Sequence, residues 1–466
     1  MDIIKNKLRD INSIAFIILI LIAIITRFIY LDKTAHFVND QGRDLLILNE
    51  IVINSKLSLI GPATSFHSTH GSLYFGPYYY YFLLPFFLLS KDPIFLTAIF
   101  PILFILICTL LIKVKGINKN TKILFLIFSI FSSYSLYYSR FLWNLNLGFL
   151  LSFMVFLLFL LFNKVIFSKK IYLIIFGLIC GMVFQVHYGM LFLYLALTIV
   201  FLKKKKYLYY LTGFFLSFLP FIIFDIRHKF IILKTLLGVI LDFFQKVEEQ
   251  NFNIFNIFSK IFNSYLIPDL FIHNFWKLLF GLILFILILK YLFTKNTILF
   301  KLLRYSFILF LVSFFVFKRN FDYYLACFFL FYYLGFSLFL SNIFSNKRNI
   351  SYILYAFIII FVITNLHYYF SQNNNKYSIY TQKRIAEAVD SKINSINSDI
   401  NKINLSALPH HDDRKGVEYI LLTRYKIQNY KESRDKFIIC YSRECFKKDY
   451  KLIYNKERVN VFYALE

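Results

Sequence analysis

Residues 31–85 read LDKTAHFVNDQGRDLLILNEIVINSKLSLIGPATSFHSTHGSLYFGPYYYYFLLP and lie between two strongly apolar blocks. They hold what those blocks cannot: Asp40, Arg43, Asp44, Glu50, three histidines and a run of four tyrosines. An unpaired carboxylate is too costly in hydrocarbon, so the stretch predicts a loop at a membrane surface, spanning residues 32–75. A connection this long is functional or disordered far more often than incidental. Residues 44–54 (DLLILNEIVIN) place Leu45, Leu48, Ile51 and Val52 on one helical face. That pattern predicts a short helix lying on the membrane rather than disorder.

The rest of the 466-residue chain explains why a membrane must flank this loop. It is 59% hydrophobic and 21% aromatic, with 61 Phe and 35 Tyr, and only 17% of it is charged. A soluble chain of this size cannot hide so much apolar surface, so lipid is the expected solvent for most of it. The net charge of +27 would suit nucleic acid. Lys and Arg also collect in cytoplasmic loops beside anionic headgroups, however, and no nucleic-acid motif accompanies them here.

Apolar blocks run at 12–31, 76–113, 122–139, 144–162, 171–188, 190–202, 207–224, 276–293, 298–317, 322–341 and 350–370. The expectation is an all-α polytopic membrane protein with about 11 membrane segments plus interfacial helices. The basic N-terminus and the 18 or so apolar residues after it, with no small-residue cleavage site, predict a retained first helix. Basic clusters at the N-terminus, 113–122, 164–170, 203–206, 290–295 and 347–348 predict the cytoplasmic side. They share that side if 76–113 makes one net crossing, with 78–90 re-entrant or interfacial; two full crossings break the pattern at 113–122. After 370 the chain turns polar. Residues 371–466 predict a small extracytoplasmic α+β domain, with a helix before 400 and strands at 417–423, 437–441 and 450–463. Cys108, Cys180 and Cys327 fall in apolar runs as packing residues, while Cys440 and Cys445 suit a local disulfide if the tail is extracytoplasmic.

With one crossing at 76–113, the polar clusters other than the lysine loops fall on one face. These are the 32–75 loop, Arg140 with Trp143-Asn144, Gln185 with His187, Asp225 with Arg227-His228, and Lys318-Arg319 with Asp322. Snorkelling caps would be mainly Lys, Tyr and Trp, so Asp, His, Asn and Gln gathered on one side predict a site. A carboxylate there suits a general base for an attacking hydroxyl or amine, and Arg43 suits a phosphate or one of the acids. The alternative for Asp40–Asp44 is a loop held by an ion pair. His67 and His70 with Asp40 and Asp44 invite a divalent-metal reading, but metal-ligand spacing is absent and polar loop histidines explain them better. Tyr78 and Tyr79 open a run that suits an interfacial belt and, equally, a face for sugar rings or polyprenyl chains.

A first membrane helix, a long loop with an early Asp, and Gly76-Pro77-Tyr78-Tyr79-Tyr80 resemble the GT-C glycosyltransferases. The likeness is to the protein O-mannosyltransferase and aminoarabinose lipid A transferase superfamily. Tyr138-Ser139-Arg140-Phe141-Leu142-Trp143-Asn144, Gln185-Val186-His187-Tyr188 and Phe224-Asp225-Ile226-Arg227-His228 carry further likeness, over residues 10–370. The resemblance implies a transmembrane catalytic domain over 1–370 in the plasma membrane. It would pass a sugar from a polyprenyl-phosphate donor to an extracytoplasmic acceptor, protein, lipid or cell-envelope glycan, with inversion. Asp40 would be the base and Asp44 its support, since many relatives carry two adjacent acids where this chain has Asp40-Gln41. Arg140 and Arg227 would hold the carrier phosphate, and His187 and His228 would line the acceptor or donor pocket; the polar clusters themselves add His70, Gln185, Asn144, Trp143, Asp225 and Arg319 as substrate-binding candidates. The competing function is a transporter or flippase of lipid-linked glycans, which calls for ionisable groups at mid-bilayer and repeated halves.

Overall fold

The computed structural model describes residues 2–202, 206–245, 255–268, 274–317, 322–346, 351–371, 375–396, 401–433, 435–441, 450–456 and 458–464. The first half runs α1 (Asp2–Phe28), α2 (Leu31–Thr34), α3 (Asn39–Asn54), a hairpin β1 (Ala63–Ser68) and β2 (Gly71–Tyr74), α4 (Tyr78–Leu89), α5 (Pro93–Lys113), α6 (Lys119–Phe131) and α7 (Ser133–Tyr138). Then come α8 (Asn144–Ile166), α9 (Lys170–Val186), α10 (Leu191–Leu202), α11 (Tyr207–Leu216), α12 (Leu219–Arg227) and α13 (Ile231–Gln245). The remaining apolar helices are α14 (Phe255–Ile261), α15 (Asn274–Leu292), α16 (Ile298–Phe317), α17 (Asp322–Leu325), α18 (Phe329–Asn346) and α19 (Ser351–Ser371).

Among the described residues, four helices are long and apolar enough to cross a membrane alone: α5, α8, α15 and the 352–371 part of α19. Their outer faces are apolar too: Ile102 and Leu106 on α5 and Ile359 and Ile363 on α19 stay exposed, as lipid contact requires. At 12 residues α4 is about 18 Å long, short of the roughly 30 Å hydrocarbon core.

Among the described residues three expected spans are broken: 322–341 divides into α17 and α18, and two others break at serines. The block 122–139 divides into α6 and α7 at Ser132, whose Oγ accepts from Ser135 N–H at 3.2 Å and from the Tyr333 hydroxyl at 2.6 Å. The freed carbonyls at the end of α6 need donors inside the bundle, and Arg27 of α1 supplies them, reaching Ser129 O at 2.7 Å and Ile130 O at 2.5 Å. The block 207–224 bends by 48° between α11 and α12. At that bend Ser217 Oγ donates to Phe214 O at 2.7 Å and accepts from Gln185 Nε2 at 2.7 Å. Hydroxyls that bond backbone locally favour such breaks, which hydropathy averages over.

After α19 the chain forms α20 (Ile379–Ile396), β3 (Lys402–Leu408), α21 (Lys415–Ile420), β4 (Gln428–Asn429), β5 (Lys436–Cys440), β6 (Tyr450–Lys456) and β7 (Val459–Ala464). The strands make one mixed sheet in the order β4-β3-β5-β7-β6, with β3 parallel to β4 and β5 and the other pairs antiparallel. The α+β character matches expectation, with two corrections. Residues 417–423 are not a strand: α21 and a π turn occupy them, because Val417, Ile420 and Leu421 repeat at helical spacing and are all buried. Residues 450–463 fall in two antiparallel strands, β6 and β7, with Arg458 before β7 at φ 62°. Cys440 is disulfide-bonded, and Cys445 lies outside the described residues; Cys108, Cys180 and Cys327 are free and buried.

Candidate active site

The predicted surface helix begins earlier than its periodicity indicated, at Asn39, so Asp40 sits in its first turn rather than in free loop. A carboxylate is favoured there by the helix dipole. Gln41 closes the turn by accepting from Val38 N–H at 3.2 Å. Spacing of three and four residues then puts Asp40, Arg43 and Asp44 side by side. Arg43 Nη1 meets Asp40 Oδ1 at 2.8 Å, while its Nη2 and Nε meet Asp44 Oδ1 at 2.8 and 3.0 Å. One guanidinium thus bridges two carboxylates of different character: the Asp40 side chain is 36% exposed and Asp44 fully buried. Burial pushes the Asp44 carboxyl up to about 7, with the Asp40 charge adding to the rise and Arg43 opposing it. Asp44 Oδ2 is enclosed with no hydrogen-bond partner.

The second Asp40 oxygen, Oδ2, accepts from Trp143 Nε1 at 3.1 Å. Trp143 caps α8, and its ring stacks on Phe141 at 5.8 Å. Arg43, three residues on, and Trp143, 103 residues on, therefore fix one oxygen each of the half-exposed carboxylate. The tyrosine run divides its tasks. Tyr80 donates to Asp44 Oδ1 at 3.3 Å, Tyr78 to Ser217 O and Tyr81 to Ser58 O at 2.5 Å each, and Tyr79 is buried with an unpartnered hydroxyl. Tyr80 is the residue that sequence reasoning missed. The run was visible, but the helical phase that turns one hydroxyl toward Asp44 was not.

A second group adjoins the first through α8. Asn144 Nδ2 donates to Val186 O at 3.2 Å, and the Gly148 Cα abuts the Cβ of His187. His187 lies between α9 and α10, its ring stacked on Phe75 at 4.9 Å. Its Nδ1 accepts from Gly189 N–H at 3.1 Å. A neutral ring whose Nδ1 accepts must carry its proton on Nε2, so His187 offers a donor. Gln185 is a brace: its backbone O accepts from Gly76 N–H at 2.9 Å and its side chain holds Ser217.

Other expected site residues are placed elsewhere or otherwise engaged. Arg140 is buried, donating to Tyr369 Oη at 2.8 Å and to Ile29 O, so it ties α19 to the end of α1. Asp225 caps α13, accepting from Ile232 N–H at 2.7 Å and Leu233 N–H at 3.3 Å. Beside it Arg227 is exposed, and His228 stacks on Phe224 at 3.9 Å. His70 is exposed at the tip of the β1–β2 hairpin, where His67 pairs with Ser72 at 2.9 Å. Arg319 and Lys318 lie outside the described residues. Among the described residues no three His, Cys, Asp or Glu side chains gather to hold a metal. The space between Asp40 and Asp44, where a cation would bridge them, is filled by Arg43.

No family model matches the sequence, and no curated protein matches it by sequence. Solved structures do match in three dimensions. The oligosaccharyltransferase of Archaeoglobus fulgidus, solved tethered to an acceptor peptide, superposes with a TM-score of 0.51 at 12% identity, over 90% of this chain and 63% of that one. This chain therefore spans less than two thirds of that enzyme's length. ArnT from Cupriavidus metallidurans, bound to undecaprenyl phosphate, gives 0.45 at 10% identity, over 96% and 97% of the two chains. At such identities the likeness is one of fold alone: this chain shares the fold of the archaeal oligosaccharyltransferase.

Proposed function

We propose that this protein is a membrane glycosyltransferase that moves a sugar from a polyprenyl-phosphate donor to an acceptor on the extracytoplasmic face, with Asp40 as general base. The observation that carries this reading is the Asp40 carboxylate. It is half-exposed, held at both oxygens by Arg43 and Trp143, and mounted on a helix outside the membrane spans. Such a group is oriented yet reachable, as a base for an incoming hydroxyl must be. Asp40 takes the acceptor proton as the acceptor oxygen or nitrogen bonds to the anomeric carbon. The bond from that carbon to the phosphate oxygen breaks, and the polyprenyl phosphate leaves with the electron pair. Attack from the side opposite the phosphate inverts the anomeric carbon. Cations beside the phosphate stabilise charge that grows as it leaves; Arg227 and His228, exposed at the C-terminal end of α12, are the candidates, with the His187 Nε2–H as a neutral donor.

The test pairs the purified protein with Asp40→Asn on a panel of radiolabelled polyprenyl-phosphate sugars, with membrane extract as acceptor. Transfer by the parent that falls by roughly two orders of magnitude in Asp40→Asn, with donor binding intact, supports the reading. Equal turnover in both removes Asp40 from the chemistry. Binding of lipid-linked sugar with no turnover of any donor points instead to a transporter.

A further inference from the structure

The C-terminal domain touches α3 on the face away from its carboxylates. Gly42 is two residues, about 200° of helix, from both Asp40 and Asp44. A Cβ on Gly42 would collide with the backbone of Lys415 and Gly416, and one on Gly416 would collide with the Phe37 carbonyl. The main chains of α3 and α21 are thus in direct contact, and an added methyl would meet backbone, which yields least. The junction continues on the N-terminal side of α3. Phe37 N–H donates to Tyr377 O at 2.8 Å and Ile379 N–H to Ala35 O at 3.1 Å, closing a bridge between His36 and Ser378. On the other side Tyr419 packs edge-on to Phe37 at 6.0 Å and donates to Lys91 O at 2.6 Å. A surface ion pair, Lys383 with Asp92 at 2.9 Å, lies at the edge of this contact.

We infer that the C-terminal domain is the back-plate of the catalytic helix, with Gly42 and Gly416 as positioning residues that fix where α3 presents Asp40. The inference rests on the reading of Asp40 as base. Neither glycine reaches the carboxylates. Their effect runs through the helix: Asp40 lies in the first turn of α3, and its placement against Trp143 depends on what holds the rear of that helix. The domain therefore acts on the rate of transfer, not on recognition of the acceptor through α21. A displacement of about 1 Å at a reacting group costs up to about a hundredfold in rate.

The experiment uses the full chain in lipid nanodiscs and a reporter that needs no activity. The sequence holds two tryptophans, Trp143 and Trp276, so in a Trp276→Phe background, excited at the red edge where tyrosine does not absorb, the indole that donates to Asp40 is the only tryptophan emitter. Gly42→Ala and Gly416→Ala are expected to shift Trp143 emission and to lower the turnover number about tenfold to a hundredfold. The acceptor and donor KM should change by less than about threefold, because neither glycine lies on the carboxylate face. Tyr419→Phe, which loosens the contact without overpacking it, should do the same to a smaller extent and covers failure of an alanine variant to fold. Lys383→Ala should leave both readouts unchanged. Unchanged emission and turnover in Gly42→Ala and Tyr419→Phe overturn the inference, as does a loss confined to acceptor KM. If no variant and no parent transfers sugar, the transferase reading fails, while the emission shift still decides whether the domain positions Asp40.

Discussion

Asp44 makes a sharp electrostatic prediction. Its carboxyl is fully buried and rises to about 7 from an ordinary value of 3.8. Between those two pH values the folded chain holds a proton that the unfolded chain has lost. Stability from this group is therefore complete below about pH 4, falls as pH rises, and levels off above about pH 7. The slope is about 1.4 kcal/mol per pH unit, and the whole fall amounts to about 4 kcal/mol. Asp44→Asn is near in shape and cannot ionise, so it removes the fall while keeping an acceptor oxygen for Tyr80. The difference in thermal stability, variant minus parent, should grow steadily from pH 4 to pH 7 in nanodiscs and then stay constant. Infrared difference spectra between the two should show a protonated carboxyl at pH 5.5 that disappears by pH 8. A parent and variant whose stability difference is flat across that range, or a carboxyl already ionised at pH 5.5, would refute the assignment. It would mean that Arg43 and Tyr80 outweigh burial.

Two further substitutions test other parts of the molecule. Trp143→Phe keeps the stacked ring and removes the donor to Asp40 Oδ2; a hydrogen bond to a charged group contributes about 1.5–3 kcal/mol, so transfer should fall roughly tenfold or more in turnover number with little change in donor KM. Arg27→Met leaves the Ser129 and Ile130 carbonyls without donors inside the bundle, and should lower stability by about 2–4 kcal/mol, read as a loss in thermal unfolding temperature at constant lipid composition.

The membrane class, and the three- and four-residue spacing that sets Asp40, Arg43 and Asp44 side by side on a helix, were legible in the sequence alone. Each rests on composition and on spacing within about ten residues, and the cost of charge in hydrocarbon leaves few alternatives. Where a few short hydrogen bonds decide, local pattern was not enough. Ser132 and Ser217 break helices that hydropathy joins, because their partners, Tyr333 and Gln185, come from remote segments. Residues 417–423 read as a strand by β-branched content, yet are helical because α3 offers them a face to bury. Arg140 reads as a phosphate ligand and instead joins Tyr369 to Ile29. What only the tertiary structure decided is which groups face one another across the chain: Trp143 on Asp40, Tyr80 on Asp44, and Gly416 against α3. Sequence fixes the side chains and their local phase, but whether two polar atoms meet depends on the path of the chain between them.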